Sequence, residues 1–256
     1  MRDQFSRTEL LLGKEAMERL EKSRVIVFGI GGVGGYTVEA LVRSGLGKID
    51  LVDDDVVCMS NLNRQLIATR MTLGMSKVDA AEARILSINP DVQVTKWKMF
   101  YLPETADQFD FTQYDYIVDA VDTVSAKLSL AERARECGTP IISAMGAGNK
   151  LDPTRLEVAD ISQTSVDPLA RVMRQQLRKR GIDHLKVVYS RETPLTPGKE
   201  GPVPGQESCE GQTGAKAESV QRRSIPGSTA FVPSVAGLII AGEVIRDLIR
   251  DRDKGQ

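Results

Sequence analysis

Six residues, Gly29-Ile30-Gly31-Gly32-Val33-Gly34, follow a short β-branched run and open a helix-like stretch. Glycines at this spacing permit a tight turn and let phosphate oxygens approach backbone N–H groups at a helix terminus. The segment therefore reads as an anion-binding turn with Gly29, Gly31, Gly32 and Gly34 against the nucleotide. The plainer reading, glycines serving only strand–helix packing, is the weaker one. Asp53 closes the next apolar strand, about where a ribose-binding carboxylate follows such a turn. This much serves NAD as well as ATP.

The residues after Asp53 separate the two nucleotides. Ser60-Asn61-Leu62-Asn63-Arg64-Gln65 carries a guanidinium, and Gly74-Met75-Ser76-Lys77 puts an ammonium at a helix start. A dinucleotide pyrophosphate needs little beyond backbone amides, whereas a triphosphate under attack needs fixed positive charge on its oxygens. Asn61, Arg64 and Lys77 thus favour triphosphate chemistry, although Arg64 alone reads equally well as a surface arginine. Asp122 ends a parallel strand on the edge where such sheets bind ligands, and a carboxylate there suits Mg²⁺.

Positioning these groups takes alternating strands and helices. Strands are expected at 24–28, 48–53, 92–98, 116–121 and 141–144, with helices at 36–44, 77–88 and 124–137 between them. That alternation requires an α/β, Rossmann-like, doubly wound and mainly parallel sheet. Strands at 155–161 and 185–190, with a helix at 168–180, extend the sheet toward the C-terminus. Residues 191–227 hold eleven Gly or Pro among 37 positions and read as a mobile loop or crossover. Residues 234–251 form a terminal amphipathic helix with Leu238, Ala241, Ile245, Leu248 and Ile249 on its buried face. The expectation is one domain over 1–256, with a nucleotide-binding half at 1–150 and a substrate-binding half at 151–256.

Composition narrows the class without naming a partner. The chain has 256 residues, 41% hydrophobic and 27% charged, within the ordinary range of globular proteins. A net charge of −1 means that nucleic acid would have to meet a local basic patch, and no DNA partner is expected. Cys58, Cys137 and Cys209 make neither a disulfide framework nor paired zinc motifs. Without a secretory signal, a cytoplasmic protein is expected, with peripheral membrane association left open. The uncharged stretch 224–242 is broken by Pro226 and Pro233 and is not read as a membrane span. His184 reads as a loop or packing residue. Residues 167–180 hold five cations and one anion, with Arg171, Arg174 and Arg178 on one face. That stripe suits tRNA phosphates, against the plainer reading of a solvated helix face.

Taken together, GIGGVG at 29–34, LVDDD at 51–55, SNLNRQ at 60–65, GMSKV at 74–78 and VDAVD at 118–122 resemble the ubiquitin-activating-like adenylyltransferases. That superfamily includes the molybdopterin- and thiamine-pathway enzymes, and the likeness spans nearly the whole chain. It implies that Asp53 holds the ribose of ATP with Asp55 beside it, that Asn61, Arg64 and Lys77 hold the triphosphate, and that Asp122 holds Mg²⁺. Arg7, in Ser6-Arg7-Thr8, matches the arginine that dimeric members extend into the partner's ATP site, which implies a homodimer. Arg7, Arg64, Lys77 and Asp122 are then the catalytic set.

The carrier-activating members usually hold paired CxxC zinc motifs in their second half, and this sequence has none. Instead, Val166-Asp167-Pro168-Leu169-Ala170 and Val187-Val188-Tyr189-Ser190-Arg191-Glu192 are similar to the bacterial branch that dehydrates threonylcarbamoyladenosine in tRNA. The branch implies attack of a threonyl carboxylate on the ATP α-phosphate, giving an acyl-adenylate that a neighbouring ureido group closes into a ring. It also brings to mind a cysteine-desulfurase sulfur-relay partner and a monovalent cation, Na⁺ or K⁺, although no residue singled out above speaks for either. The second reading is an adenylyltransferase for the C-terminal glycine of a ubiquitin-like sulfur carrier. A nicotinamide oxidoreductase ranks third, because it leaves Arg64, Lys77 and Asp122 without a joint task.

Overall fold

Strands whose side chains are apolar on both faces must be covered on both faces, and that demand shapes this molecule. The computed structural model describes residues 3–197 and 226–250. Strands β1 (Arg24–Phe28), β2 (Lys48–Val52), β3 (Gln93–Trp97), β4 (Tyr116–Asp119), β5 (Ile141–Ala144), β6 (Leu156–Asp160) and β7 (Lys186–Ser190) form one sheet in the order β3-β2-β1-β4-β5-β7-β6. Neighbours run parallel except β6, which pairs antiparallel with β7. The expected C-terminal extension of the sheet is therefore present. Strand order reverses between β1 and β4, the position at which sheets of this kind open a ligand crevice beyond their carboxyl ends.

Helices α1 (Ser6–Leu12) and α2 (Lys14–Lys22) precede the sheet, and α3 (Gly34–Arg43), α4 (Lys77–Ile88), α5 (Val124–Cys137), α6 (Pro168–Lys179) and α7 (Phe231–Ile249) surround it. One face is packed by α3, α4 and α7 through Val38, Leu41, Val78, Ile85, Ile240 and Val244. The other is packed by α5 together with the aromatic set Phe28, Tyr101, Phe109 and Phe111. Phe28 meets Tyr101 edge-on at 4.8 Å and Phe109 at 5.3 Å. Helix α6 joins α5 over the sheet's far end through Met173, Leu177 and Leu128.

Several expected boundaries shift for local reasons. Strand β2 ends at Val52 and β4 at Asp119, so Asp53 and Asp122 stand in the turns beyond their strands rather than within them. Helices α1 and α2 were not foreseen. The first buries no residue, and the second buries only Ala16 and Leu20. Helix α7 starts at Phe231, not at residue 234, and its buried face is in part the one expected: Ala241 and Leu248 are covered and Ile245 and Ile249 partly so, but Val232, Ala236, Ile240 and Val244 are covered with them while Leu238 is 48% exposed. The cause is Gly237, where a Cβ would lie 2.3 Å from the Val33 carbonyl oxygen, so small residues rather than large aliphatics face α3. Most of the expected mobile loop, including Cys209, lies outside the described residues. Its described flanks are tied down: Leu195 N–H donates to Asn149 O at 2.7 Å and Gly227 N–H to Asn149 Oδ1 at 2.6 Å. Cys58 is disulfide-bonded, contrary to the expectation from cysteine number and spacing, whereas Cys137 is a free, exposed thiol. His184 is exposed but has a partner, Asp160 Oδ2, at 3.3 Å. Among the described residues no helix is long and apolar enough to cross a membrane.

Candidate active site

The glycine turn joins β1 to α3 because its backbone must do two things no side chain tolerates. Gly29 has φ +87°, and a Cβ on it would meet Ala120 O at 2.7 Å. A Cβ on Gly34 would lie 1.8 Å from Gly29 O, so the turn closes on itself only with glycine there. The result is a cavity of about 340 Å³ at the switch between β1 and β4. Its lining combines the apolar side chains of Phe28, Val52, Met99, Tyr101 and Val121 with Gly31, Gly32, Asn61, Arg64 and Lys77.

Asp53 lines the same cavity. Its Oδ2 accepts from Ile30 N–H at 2.7 Å and its Oδ1 from Asp55 N–H at 2.9 Å. The carboxylate thus sets the turn that carries the glycines as well as facing the cavity. Burial pushes its pKa up, and the Lys77 ammonium 3.7 Å away, with the two N–H groups, only partly offsets this. A carboxylate so placed gains from a further donor such as a ribose hydroxyl.

The cations reach the cavity by different routes. Lys77 is 5% exposed at the start of α4, where its Nζ donates to Asp55 Oδ2 at 2.9 Å. An ammonium has three N–H donors, so this pair does not exhaust it. Arg64 is half-buried and gives Nη1 to Ser60 O at 2.8 Å and to Asn63 Oδ1 at 2.9 Å. Burial lowers its pKa, but a guanidinium keeps its charge and has donors left over. Asn61 accepts from Cys58 N–H at 3.1 Å through Oδ1, which fixes the side-chain amide on the cavity wall.

Asp122 lies exposed on the cavity's rim. Its turn is held from below by Asp119, which is fully buried. The Asp119 carboxylate accepts from Lys127 Nζ at 3.0 Å, from Ser143 Oγ at 2.5 Å and from Val121 N–H at 3.2 Å. Asp53, Asp54 and Asp55 each bring a carboxylate oxygen within 4.8 Å of the others, so the end of β2 offers a set of hard oxygen donors.

The cavity therefore gathers Gly29, Gly31, Gly32, Asp53, Asp55, Asn61, Arg64, Lys77 and Asp122 from five separated stretches of sequence. Gly34 stands behind it, buried at the start of α3. Arg7 does not line it: the residue is exposed on α1. Arg171, Arg174 and Arg178 do not line it either, and they are not equivalent. Arg171 and Arg178 are exposed, whereas Arg174 is half-buried with Nη1 donating to Thr164 O at 2.8 Å and to Thr164 Oγ1 at 2.6 Å. Three groups on the wall escaped the sequence reading: the aromatic side chains of Phe28 and Tyr101, the backbone around Ser228 at the foot of α7, and Gln65. Gln65 sits in a motif already singled out, but the burial of its Oε1 without a donor appears only once the chain is folded.

Residues 5–255 match the ThiF family. The chain is 46% identical to a tRNA threonylcarbamoyladenosine dehydratase of Bacillus subtilis, over 98% of this chain and 96% of that protein. It is 32% identical to the dehydratase of the same name from Escherichia coli, over 97% and 94% of the two chains. A crystal structure of E. coli tRNA N6-threonylcarbamoyladenosine dehydratase in complex with ATP superposes with a TM-score of 0.83 at 30% identity, covering 97% of this chain and 94% of that one.

Proposed function

The chain belongs to the ThiF family, and we propose that it is an ATP-dependent dehydratase that cyclises N6-threonylcarbamoyladenosine in tRNA. The observation that carries this reading is the full-length likeness to dehydratases of that name, joined to a cavity that brings apolar side chains, a buried carboxylate and two cations together on one wall, the groups that the base, ribose and phosphates of ATP require. A carrier-protein adenylyltransferase is not favoured.

The threonyl carboxylate attacks the α-phosphorus of ATP, the bond to the β-phosphate oxygen breaks, and pyrophosphate leaves. The ureido group then attacks the acyl carbon, AMP leaves, and an N–H proton of that group passes to solvent. The protein's share is positioning and charge. Glycine-turn amides and the N-terminus of α3 face the phosphates, and Arg64 and Lys77 neutralise charge that grows on the departing pyrophosphate. Asp122 is the residue we assign to Mg²⁺, and Asp54 and Asp55 line the same cavity. The ion would compensate charge at the α-phosphate. Arg7 is proposed to act in a partner's site within a homodimer, and α6 to meet tRNA through Arg171 and Arg178. A cytoplasmic setting agrees with these substrates. A monovalent cation and a sulfur-relay partner rest on family resemblance alone.

The test is incubation with Mg-ATP and tRNA carrying the threonylcarbamoyl nucleoside, followed by mass spectrometry of the digested nucleosides. Loss of one water from that nucleoside, with release of AMP and pyrophosphate, is expected. Adenylation of a ubiquitin-like carrier without any change in the tRNA would move the chain to the second reading.

A further inference from the structure

Among the described residues only two that are not glycine have a left-handed backbone, Asn149 with φ +58° and Val166 with φ +63°. Asparagine tolerates that region, but for a β-branched side chain it is an outlier that persists only where its surroundings over-determine it. Each stands directly before one member of a buried ion pair, Lys150 and Asp167. Lys150 Nζ donates to Asp167 Oδ2 at 2.5 Å, and the two side chains are 1% and 0% exposed. The strain therefore gathers on one joint.

That joint ties together stretches of chain with different tasks. Lys150 Nζ also donates to Gly146 O at 2.5 Å, on the segment that leaves β5. A Cβ on Gly146 would lie 3.0 Å from Asp167 Oδ2, so the close approach needs glycine. Just upstream, Ala144 O accepts from Lys127 Nζ, which holds Asp119 and through it the turn that presents Asp122. On the other side, Asp167 Oδ1 accepts from Ala170 N–H at 2.9 Å and so caps α6. Asn149 adds a third tie. Its N–H donates to Gly227 O at 2.8 Å and its Oδ1 accepts from Gly227 N–H at 2.6 Å, next to Ser228 on the cavity wall. None of Asn149, Lys150 and Asp167 lines the cavity itself.

An ion pair sealed from water adds little net stability, because desolvation of both charges offsets most of their attraction. Backbone strain on either flank reduces that contribution further. What the pair does supply is a single arrangement of the β5 exit, the start of α6 and the segment entering α7. We propose that Lys150 is a positioning residue, whose ammonium sets α6 and the β5 exit against the nucleotide cavity so that the substrate carboxylate meets the α-phosphate in line. The assignment rests on the dehydratase reading of the site. A nucleophile misplaced by about 1 Å loses on the order of a hundredfold in rate although the nucleotide still binds.

Calorimetry with ATP and single-turnover dehydration of tRNA by the full chain, both run well below each variant's thermal midpoint, test this. Lys150→Ala is expected to bind ATP as the parent does and to dehydrate tRNA about a hundredfold more slowly. Methylammonium fits the space left by the shortened side chain and is expected to restore part of that rate. Tetramethylammonium at the same ionic strength is too large and should restore none. Lys150→Met combined with Asp167→Asn removes both charges and keeps a capping side chain on α6, so no unpaired charge is buried should Lys150→Ala fail to fold. The double variant is expected to bind ATP normally and to stay slow with or without methylammonium. Dehydration at the parent's rate by either folded variant would overturn the proposal, as would ATP affinity that falls in step with the rate, or a slow Lys150→Ala that methylammonium leaves unchanged. Absence of dehydration by the parent would instead overturn the dehydratase reading beneath it.

Discussion

Lys127 is a full charge at 1% exposure, and it is tolerable there because acceptors converge on it. Asp119 takes it at 3.0 and 3.1 Å, Ala144 O at 2.7 Å and Ser143 Oγ at 3.3 Å. Lys127→Met would leave the Asp119 charge buried without its counter-charge, and urea unfolding should show a loss of about 3–5 kcal/mol. Lys127→Arg should lose less, and equal stability in Lys127→Met and parent would show that the pair contributes nothing. Because Asp119 also holds Val121 N–H, the pair fixes the turn that presents Asp122. Asp122 itself is exposed and carries no such load. Asp122→Asn should therefore leave the thermal midpoint within a degree or two while adenylation falls at least about a hundredfold, most steeply at limiting Mg²⁺. Unchanged turnover at low Mg²⁺ would remove the metal role. Asp53, Lys77 and Asp122 were legible in the sequence because each ends a strand or starts a helix whose pattern is local. The role of Asp119 was not legible, since its partners at 127 and 143 meet it only across two strand ends and a helix.

At the scale of elements, α7 is held at its far end by charge. Lys186 on β7 reaches Asp247 Oδ2 at 2.8 Å, and the Tyr116 hydroxyl on β4 donates to the same oxygen at 2.7 Å. Burial works against the charge on Asp247, but the bonds and charge from Lys186 and Tyr116 outweigh it and hold its pKa below the usual carboxylate range. A carboxyl depressed in the folded state stabilises it above the unfolded pKa and loses that contribution as pH falls through the folded value. Asp247→Asn should thus cost about 1–2 kcal/mol at neutral pH, and the gap to the parent should close below about pH 4. A gap that stays constant across that range would mean that packing, not charge, sets the effect. Helices α4 and α5 could be read at their observed ends because Asn89-Pro90 and Gly138 stop them, and the latter adopts the left-handed φ of +69°. The face of α7 was read only in part, Leu238 being exposed, for the opposite reason. Counting large aliphatics finds the widest apolar stripe, whereas the contact with α3 is made where Ala236 and Gly237 let two backbones approach.

At the scale of the whole molecule, one of the described helices has little support from its own chain, only Leu12 of α1 packing, partly buried, against the core. Helix α1 has seven residues and buries none of them, while Leu10 and Leu11 are 86% and 87% exposed. A helix that short gains little on its own merits, and in the proposed homodimer a second copy would cover its exposed leucines and receive Arg7 with them. Mixed dimers test this: Arg7→Ala protein and Asp122→Asn protein, each inactive alone, should regain activity on subunit exchange, because one of the two sites then has both residues. No recovery despite proven exchange would place both in one protomer's site. The proposed tRNA contact depends on a local stripe, since a net charge of −1 supplies no general attraction. Helix α6 presents Arg171 and Arg178 to solvent but spends Arg174 on Thr164. Alanine at 171 and 178 should therefore weaken tRNA binding, leave ATP binding intact and reduce the slope of log affinity against log salt by about one to two units, one counterion for each phosphate released. Arg174→Ala should change that slope little and lower stability instead, because its bonds to Thr164 are internal. If Arg174→Ala alone flattens the salt dependence while the 171 and 178 pair does not, the contact face of α6 is the one toward Thr164, and tRNA approaches from the loop that precedes the helix.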